Sequence, residues 1–254
     1  MSTPPSRRKL ITAGLSTLAG ASGLAVAARI AHHYGLIPPD HGGLYGIGET
    51  LTYAGQRLLM SGRSMAREFN RSDISKAPVV NGRPPEVEAY ERQLTAGFTD
   101  WRLSIDGMVG RPRDFSIADL RQYPARTQIT HLACEEGWSF IAEWTGVPLA
   151  HVLNLVGVLP QAKYVVYFSM DPGWWDSIDM SDALHPQTLL TYGMNGQELP
   201  KGHGAPLRLR VPRQLGYKSV KYITRLTLTD DLKRFGKGLG SAPPEFGYSW
   251  YAGI

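Results

Sequence analysis

The sequence predicts an α+β domain of mixed β-sheets and short helices. Three observations point to it. Short runs alternate apolar and polar residues, the pattern of half-buried strands. Helical segments fall between these runs without a regular strand-helix-strand repeat. Asn195-Gly196 separates two strand-like runs, a two-residue hairpin signal.

At the amino-terminal end, Ser6-Arg7-Arg8-Lys9-Leu10-Ile11 precedes an uncharged stretch, Leu10 to Ala28, rich in Ala, Gly, Ser and Leu. Residues 1–31 read as a twin-arginine-type export signal or as a membrane anchor, with Ala25-Val26-Ala27 as a small-residue cleavage site. Residues 32–85 carry many Gly, Pro and Arg residues and no period-two pattern, as expected of a wrapping extension or tether. Within them Glu49 to Met60 has helical spacing, with Leu51, Leu58 and Leu59 as its apolar face.

The main domain is expected over residues 86–254. Trp101, Leu103 and Ile105 alternate with Arg102, Ser104 and Asp106, giving a strand that Gly107 to Pro112 stops. Ser116 with Asp119 three residues on caps a short helix through Tyr123. Thr127 to Cys134 reads as a strand ending at a loop. Pro148 fits the first turn of a helix whose apolar face holds Leu149, Val152, Leu153 and Val156. Tyr164 to Phe168 is a continuous apolar run, typical of a strand covered on both faces. Asp171-Pro172-Gly173 is a turn by residue type, and Trp174 and Trp175 after it suit core or pocket wall. Leu189 to Met194 and Gln197 to Leu199 form the hairpin around Asn195-Gly196. Leu207, Leu209 and Val211 alternate with Arg208 and Arg210, so both arginines face either solvent or a site. A last strand spans about Ser219 to Thr229.

A hydrophobic fraction of 43% and a charged fraction of 19% are ordinary for a globular chain. The formal charge is +5, but basic residues are scattered beyond Arg7-Arg8-Lys9, so no nucleic-acid partner is expected. A single cysteine excludes an intrachain disulfide, and clustered Cys and His spacing for zinc is missing. That cysteine, Cys134, stands in Thr130-His131-Leu132-Ala133-Cys134-Glu135-Glu136-Gly137-Trp138-Ser139, at the end of a strand where sites tend to be built. A thiolate binds a soft metal or attacks an electrophile.

Cys134, His203-Gly204-Ala205-Pro206-Leu207-Arg208 and Ser219-Val220-Lys221, with Leu184-His185-Pro186-Gln187-Thr188-Leu189 before the hairpin, occur in one order and spacing. Together they resemble the molybdopterin-binding domain of the sulfite oxidase family, in particular its exported sulfoxide-reductase branch, over roughly residues 86–254. The resemblance implies a molybdenum–molybdopterin cofactor. Cys134 stands at the metal ligand, and His203, Arg208, Ser219 and Lys221 stand at pterin contacts. Gly204 would let backbone approach the cofactor, and Glu136 stands near the metal. Asn70 falls where relatives place a pterin-contacting asparagine, with poorly matching neighbours.

Where those relatives carry a tyrosine beside the metal this chain has Phe246, leaving Tyr248 or Tyr251 to substitute if the tail folds back. The chain stops before the further dimerisation domain of the sulfite oxidases proper, so a sulfoxide or related oxo compound is favoured over sulfite. With no Cys-x-x-Cys-His haem motif, electrons are expected from a membrane cytochrome or other separate carrier, and the twin-arginine export machinery is a second expected partner. Two other readings stand beside this one. One is a cofactor-free binding protein of the same fold. The other is a cysteine hydrolase using Cys134 with His131 or His203 as base, although His131 falls on the opposite strand face from Cys134.

Overall fold

A computed structural model describes residues 26, 28–31, 34–60 and 64–254. The twin-arginine motif and most of the uncharged stretch after it lie outside the described residues. Among the described residues no helix is long and apolar enough to cross a membrane.

Two five-stranded sheets form the body. Strands β1 (Leu103–Gly107), β2 (Arg113–Phe115), β5 (Tyr164–Ser169), β6 (Trp175–Asp179) and β10 (Ile223–Thr229) make the first, in the order β2-β1-β10-β5-β6. Only β1 and β10 run parallel there, with Ile105 opposite Leu226. Strands β3 (Arg126–Ala133), β4 (Ser139–Pro148), β7 (Leu189–Met194) and β8 (Gln197–Glu198) make the second, and β9 (Arg208–Arg210) joins it by pairing with β7. One apolar core takes Leu103, Ile105 and Leu226 from the first sheet and Val147, Leu190 and Leu209 from the second.

The local sequence rules hold in most elements. Ser116 caps the helix Ile117–Arg121 with a reciprocal bond to Asp119. The helix Leu149–Val156 begins after Pro148 and buries the four expected residues. Asn195 and Gly196 take φ of 52° and 75°, as a tight hairpin turn requires.

Three expectations need correction. The last strand starts at Ile223, not Ser219, because Tyr222 has a left-handed φ of 56° that ends the alternation. Both arginines of β9 are buried, which excludes the solvent reading.

The third concerns the amino-terminal helix α1 (Ile47–Leu59), which forms as expected but turns the other way. Its buried residues are Glu49 and Tyr53, while Leu51 and Leu59 are exposed. The inner face meets the carboxy-terminal tail through directed polar and ring contacts. The Trp250 N–H donates to Glu49 at 3.1 Å, Gln56 bonds the Gly253 carbonyl at 3.3 Å, and Tyr53 packs edge-on against Trp250 and Tyr251. Arg57 pairs with Asp179 of β6 at 2.6 Å. Directed hydrogen bonds, together with burial of the Tyr53 ring, therefore decide which side faces in, rather than the leucines.

Candidate functional site

Strand β3 delivers Cys134 to the edge of a cavity of about 430 Å³. The strand ends because Cys134 opens a turn. Its N–H donates to the Trp138 carbonyl at 2.9 Å, Gly137 N–H returns to the Cys134 carbonyl at 3.1 Å, and Gly137 takes the φ of 91° that closes such a turn. The thiol donates to Glu135 at 3.3 Å. Burial pushes the thiol up to about 12, with neighbouring carboxylates adding to the rise. A hydrolytic nucleophile needs the opposite environment. His131 lies against Phe69, outside the cavity lining.

His203, Arg208, Ser219 and Lys221 all line this cavity with Cys134 and Glu136. A short helical turn, Lys201–His203, and β9 place the first two. The loop between Gly216 and Tyr222 places the others. That loop lies close over the thiol strand: a side chain at Gly216 would come within 3.2 Å of the Ala133 carbonyl. Arg208 ties the two motifs together, donating to the His203 carbonyl at 3.0 Å and the Ser219 carbonyl at 2.8 Å. Its Nε has no partner, and its guanidinium lies over Trp144. Arg210 donates to the Ser219 hydroxyl at 3.0 Å and the His131 carbonyl at 3.1 Å, bracing the loop against β3. Lys221 donates to the carbonyls of Asn81 and Gly202.

Arg208 and Lys221 give this wall positive charge. Among the described residues no ion pair includes Arg208, Arg210 or Lys221. Burial, then the Arg208 charge, lowers Lys221 to about 7. Burial, then Arg208 and Lys221, lowers His203 to about 4. Burial lowers Arg208 itself to about 10. Each shift is relieved by an anion placed in the cavity.

The other expected residues divide between the cavity and its surroundings. Glu136 is exposed at the cavity edge, where it accepts from the Trp138 indole at 2.8 Å. Asn70 is exposed and outside the lining, because its N–H bonds Asp73 at 2.9 Å to start a short turn. The segment it belongs to contributes Asn81 and Arg83 instead. Asn81-Gly82 is a turn dipeptide by residue type, the one local signal that a loop sits there. Gly204 is needed for its φ of 112° and for Lys221, whose Cβ a side chain would meet at 2.9 Å; it does not line the cavity. Of the two tail tyrosines, Tyr248 lines the cavity and stacks on Tyr217, whereas Tyr251 packs against Tyr53 under Arg57. Trp174 is pocket wall, and Trp175 packs with Phe168 and Phe235.

A lone thiol that shares a half-open cavity with Arg208 and Lys221, neither of them ion-paired among the described residues, suits an anionic, polar cofactor that carries a soft metal. The chain belongs to the oxidoreductase molybdopterin binding domain family, whose model matches residues 91–234. It is 40% identical over 153 residues to YedZ1 of Azospira oryzae, provisionally named a protein-methionine-sulfoxide reductase subunit; the match covers 60% of this chain and 56% of that one. It is 34% identical over 163 residues to the protein-methionine-sulfoxide reductase catalytic subunit MsrP of Ralstonia nicotianae, covering 58% and 49%. The chain thus spans about half the length of these curated relatives. A solved structure, the sulfane dehydrogenase SoxCD from Paracoccus pantotrophus, aligns with a TM-score of 0.50 and 30% identity over 52% of this chain and 39% of that one.

The family's cofactor is molybdenum held by molybdopterin, and the cavity fits it. A volume of about 430 Å³ suits a group of that size, and the unpartnered Arg208 Nε is a donor with no other use. The metal would withdraw the proton that burial otherwise holds on the thiol.

Proposed function

We propose that the protein is an exported molybdenum–molybdopterin oxidoreductase that reduces a sulfoxide, with protein-bound methionine sulfoxide as the substrate suggested by its relatives. The observation that carries this reading is the single thiol of Cys134 in one cavity with Arg208 and Lys221, neither of which is ion-paired among the described residues. The reaction consumes two electrons and two protons, breaks the S=O bond, and yields a thioether and water. Residues 1–31 would direct export by the twin-arginine route or anchor the chain, residues 32–85 form the extension, and residues 86–254 form the cofactor domain. A membrane cytochrome would supply the electrons.

When bound, the molybdenum centre supplies oxygen-atom acceptance and two-electron redox chemistry. Cys134 would ligate the metal. Arg208 and Lys221 would neutralise the pterin's phosphate; two of the three ammonium protons of Lys221 are already used, leaving one for the ligand. The Ser219 hydroxyl accepts from Arg210 and from the Val211 N–H, so its own proton points to a further acceptor. His203, held neutral by its surroundings, offers one ring donor and one acceptor to the pterin edge. Tyr248, whose phenol burial and the neighbouring carboxylates keep protonated, lines the same cavity and can donate a proton to the sulfoxide oxygen, and Glu136 stands at the cavity edge.

The test is elemental and pterin analysis of the native exported protein beside Cys134→Ser. Stoichiometric molybdenum in the wild type, with its loss or altered coordination in the variant, is expected. A metal-free wild type from cells able to make the cofactor sinks the proposal in favour of a binding protein of the same fold.

A further inference from the structure

The outer face of the extension carries an apolar patch that is exposed among the described residues. Leu44, Tyr45, Ile47 and Leu51 are 70%, 59%, 78% and 67% exposed, far beyond what solvation of a scattered surface residue explains. They form one surface, since Leu44 and Tyr45 belong to the turn Gly43–Tyr45 that leads into α1. Ile47 and Leu51, four apart on the helix, lie on the same ridge. Gly55 continues that ridge, with nothing within 4 Å of the position a side chain would take.

The patch is continuous with the cavity mouth. Tyr45 donates its hydroxyl to the Gly247 carbonyl at 2.6 Å, between Phe246 and Tyr248, both of which line the cavity. Phe246 is 66% exposed and stacks on Trp174, another lining residue, at 6.2 Å. An apolar track therefore runs from Leu51 through Tyr45 to Phe246 and into the site. It is held rigid from behind by the Glu49, Gln56 and Arg57 contacts to the tail and β6. Glu49 is the one charged residue between Gly42 and Leu51, and it points inward, so the stretch from Leu44 to Leu51 offers an uncharged, apolar surface.

Resting on the sulfoxide-reductase reading above, we infer that this track is a docking surface for the polypeptide chain flanking an oxidised methionine. A small sulfoxide fits inside the cavity and has no use for the track. Methionine is a core residue whose oxidation disrupts its packing. The chain around a methionine sulfoxide therefore presents loosened apolar neighbours, which a flat apolar strip beside the site binds without reading sequence. The occupant is an unfolded segment entering the site at one end.

The experiment compares the full-length holoenzyme with an Ile47→Ser/Leu51→Ser variant, using a reduced viologen dye as donor. The substrates are N-acetyl-methionine sulfoxide and a peroxide-oxidised, unfolded protein. The variant is expected to lose about tenfold or more in kcat/KM for the oxidised protein, through KM, because burial of two such side chains is worth at least that factor. Its turnover of the small sulfoxide stays unchanged. Equal losses on both substrates, or no loss on either, overturn the docking surface. Losses on both substrates that appear only when membranes with their native donor replace the dye assign the face to the electron carrier, which also overturns it. So does a wild-type dimer that the variant dissociates while keeping its KM. A wild-type enzyme inactive on N-acetyl-methionine sulfoxide overturns the sulfoxide-reductase reading itself, and the docking surface with it.

Discussion

Lys218 lies fully buried with its ammonium 2.7 Å from the Asp176 carboxylate, itself fully buried in β6. The pair fixes the loop that carries Tyr217 and Ser219 into the cavity. Lys218 also donates to the Ser177 carbonyl at 3.1 Å, and its own carbonyl accepts from the Tyr167 hydroxyl at 3.0 Å. Removing one partner leaves a buried charge uncompensated, which costs about 3–5 kcal/mol. Lys218→Met and Asp176→Asn are each expected to lose stability on that scale in urea unfolding. The double variant recovers part of the loss, and additive losses would disprove the coupling.

Tyr248, not Tyr251, is the tail phenol in the cavity. Burial first, then Glu135, Glu136 and Cys134, raises it, so it stays protonated and able to donate. Tyr248→Phe is expected to lower kcat for sulfoxide by about 10- to 100-fold with KM nearly unchanged. Tyr251→Ala removes packing against Tyr53 and Arg57 and costs about 3 kcal/mol, with turnover per folded molecule retained. Steady-state kinetics beside thermal unfolding separates the two.

These residues also mark what the sequence made legible. Alternation and turn chemistry located β1, β5, the β7–β8 hairpin and the helix after Pro148, because each depends on neighbours in the chain. The thiol and the two downstream motifs were legible because residue types that are individually commonplace recurred in one order. The inward face of α1 was not, since Glu49 and Gln56 turn inward to meet tail atoms, and Arg57 to meet Asp179 of β6, some 120 to 200 residues away. That Asn81 lines the cavity and Asn70 does not, and that of the two tail tyrosines only Tyr248 does, likewise depends on where a loop and a tail fold back, which no local period encodes.

Lys221 gives a pH signature to ligand binding. It is lowered to about 7 from 10.5 by burial and by Arg208, and an anion beside it favours the charged form. Binding of a phosphate-bearing pterin to the apoprotein is therefore expected to take up a proton above about pH 7, and to weaken as pH rises further. Titration calorimetry in buffers of different ionisation heat reads the uptake directly. Lys221→Arg, which stays charged throughout, is expected to abolish it. Persistent uptake in that variant would place the proton elsewhere.

His185 gives a separate signature in stability. Burial first, then the Arg213 charge, lowers it to about 4 from 6.5. Between those values the unfolded chain binds a proton that the folded chain refuses, so its contribution to stability is full above about pH 6.5 and is lost as pH falls toward 4. Asp182 works against it. Burial first, then Asp179, raises its carboxyl above the ordinary carboxylate value, so as pH falls the folded state takes up this proton sooner than the unfolded one and gains stability. The raw pH profile of the wild type mixes the two signs, and a difference between proteins separates them. His185→Asn keeps an acceptor for the Gln187 N–H, which His185 now bonds at 3.2 Å, and removes the titration. The apoprotein variant is expected to lose less stability than the wild type between about pH 7 and pH 4.5, measured by urea midpoints at each pH. Parallel curves for the two proteins would show that His185 takes up its proton equally well in both states, against the burial that the structure gives it.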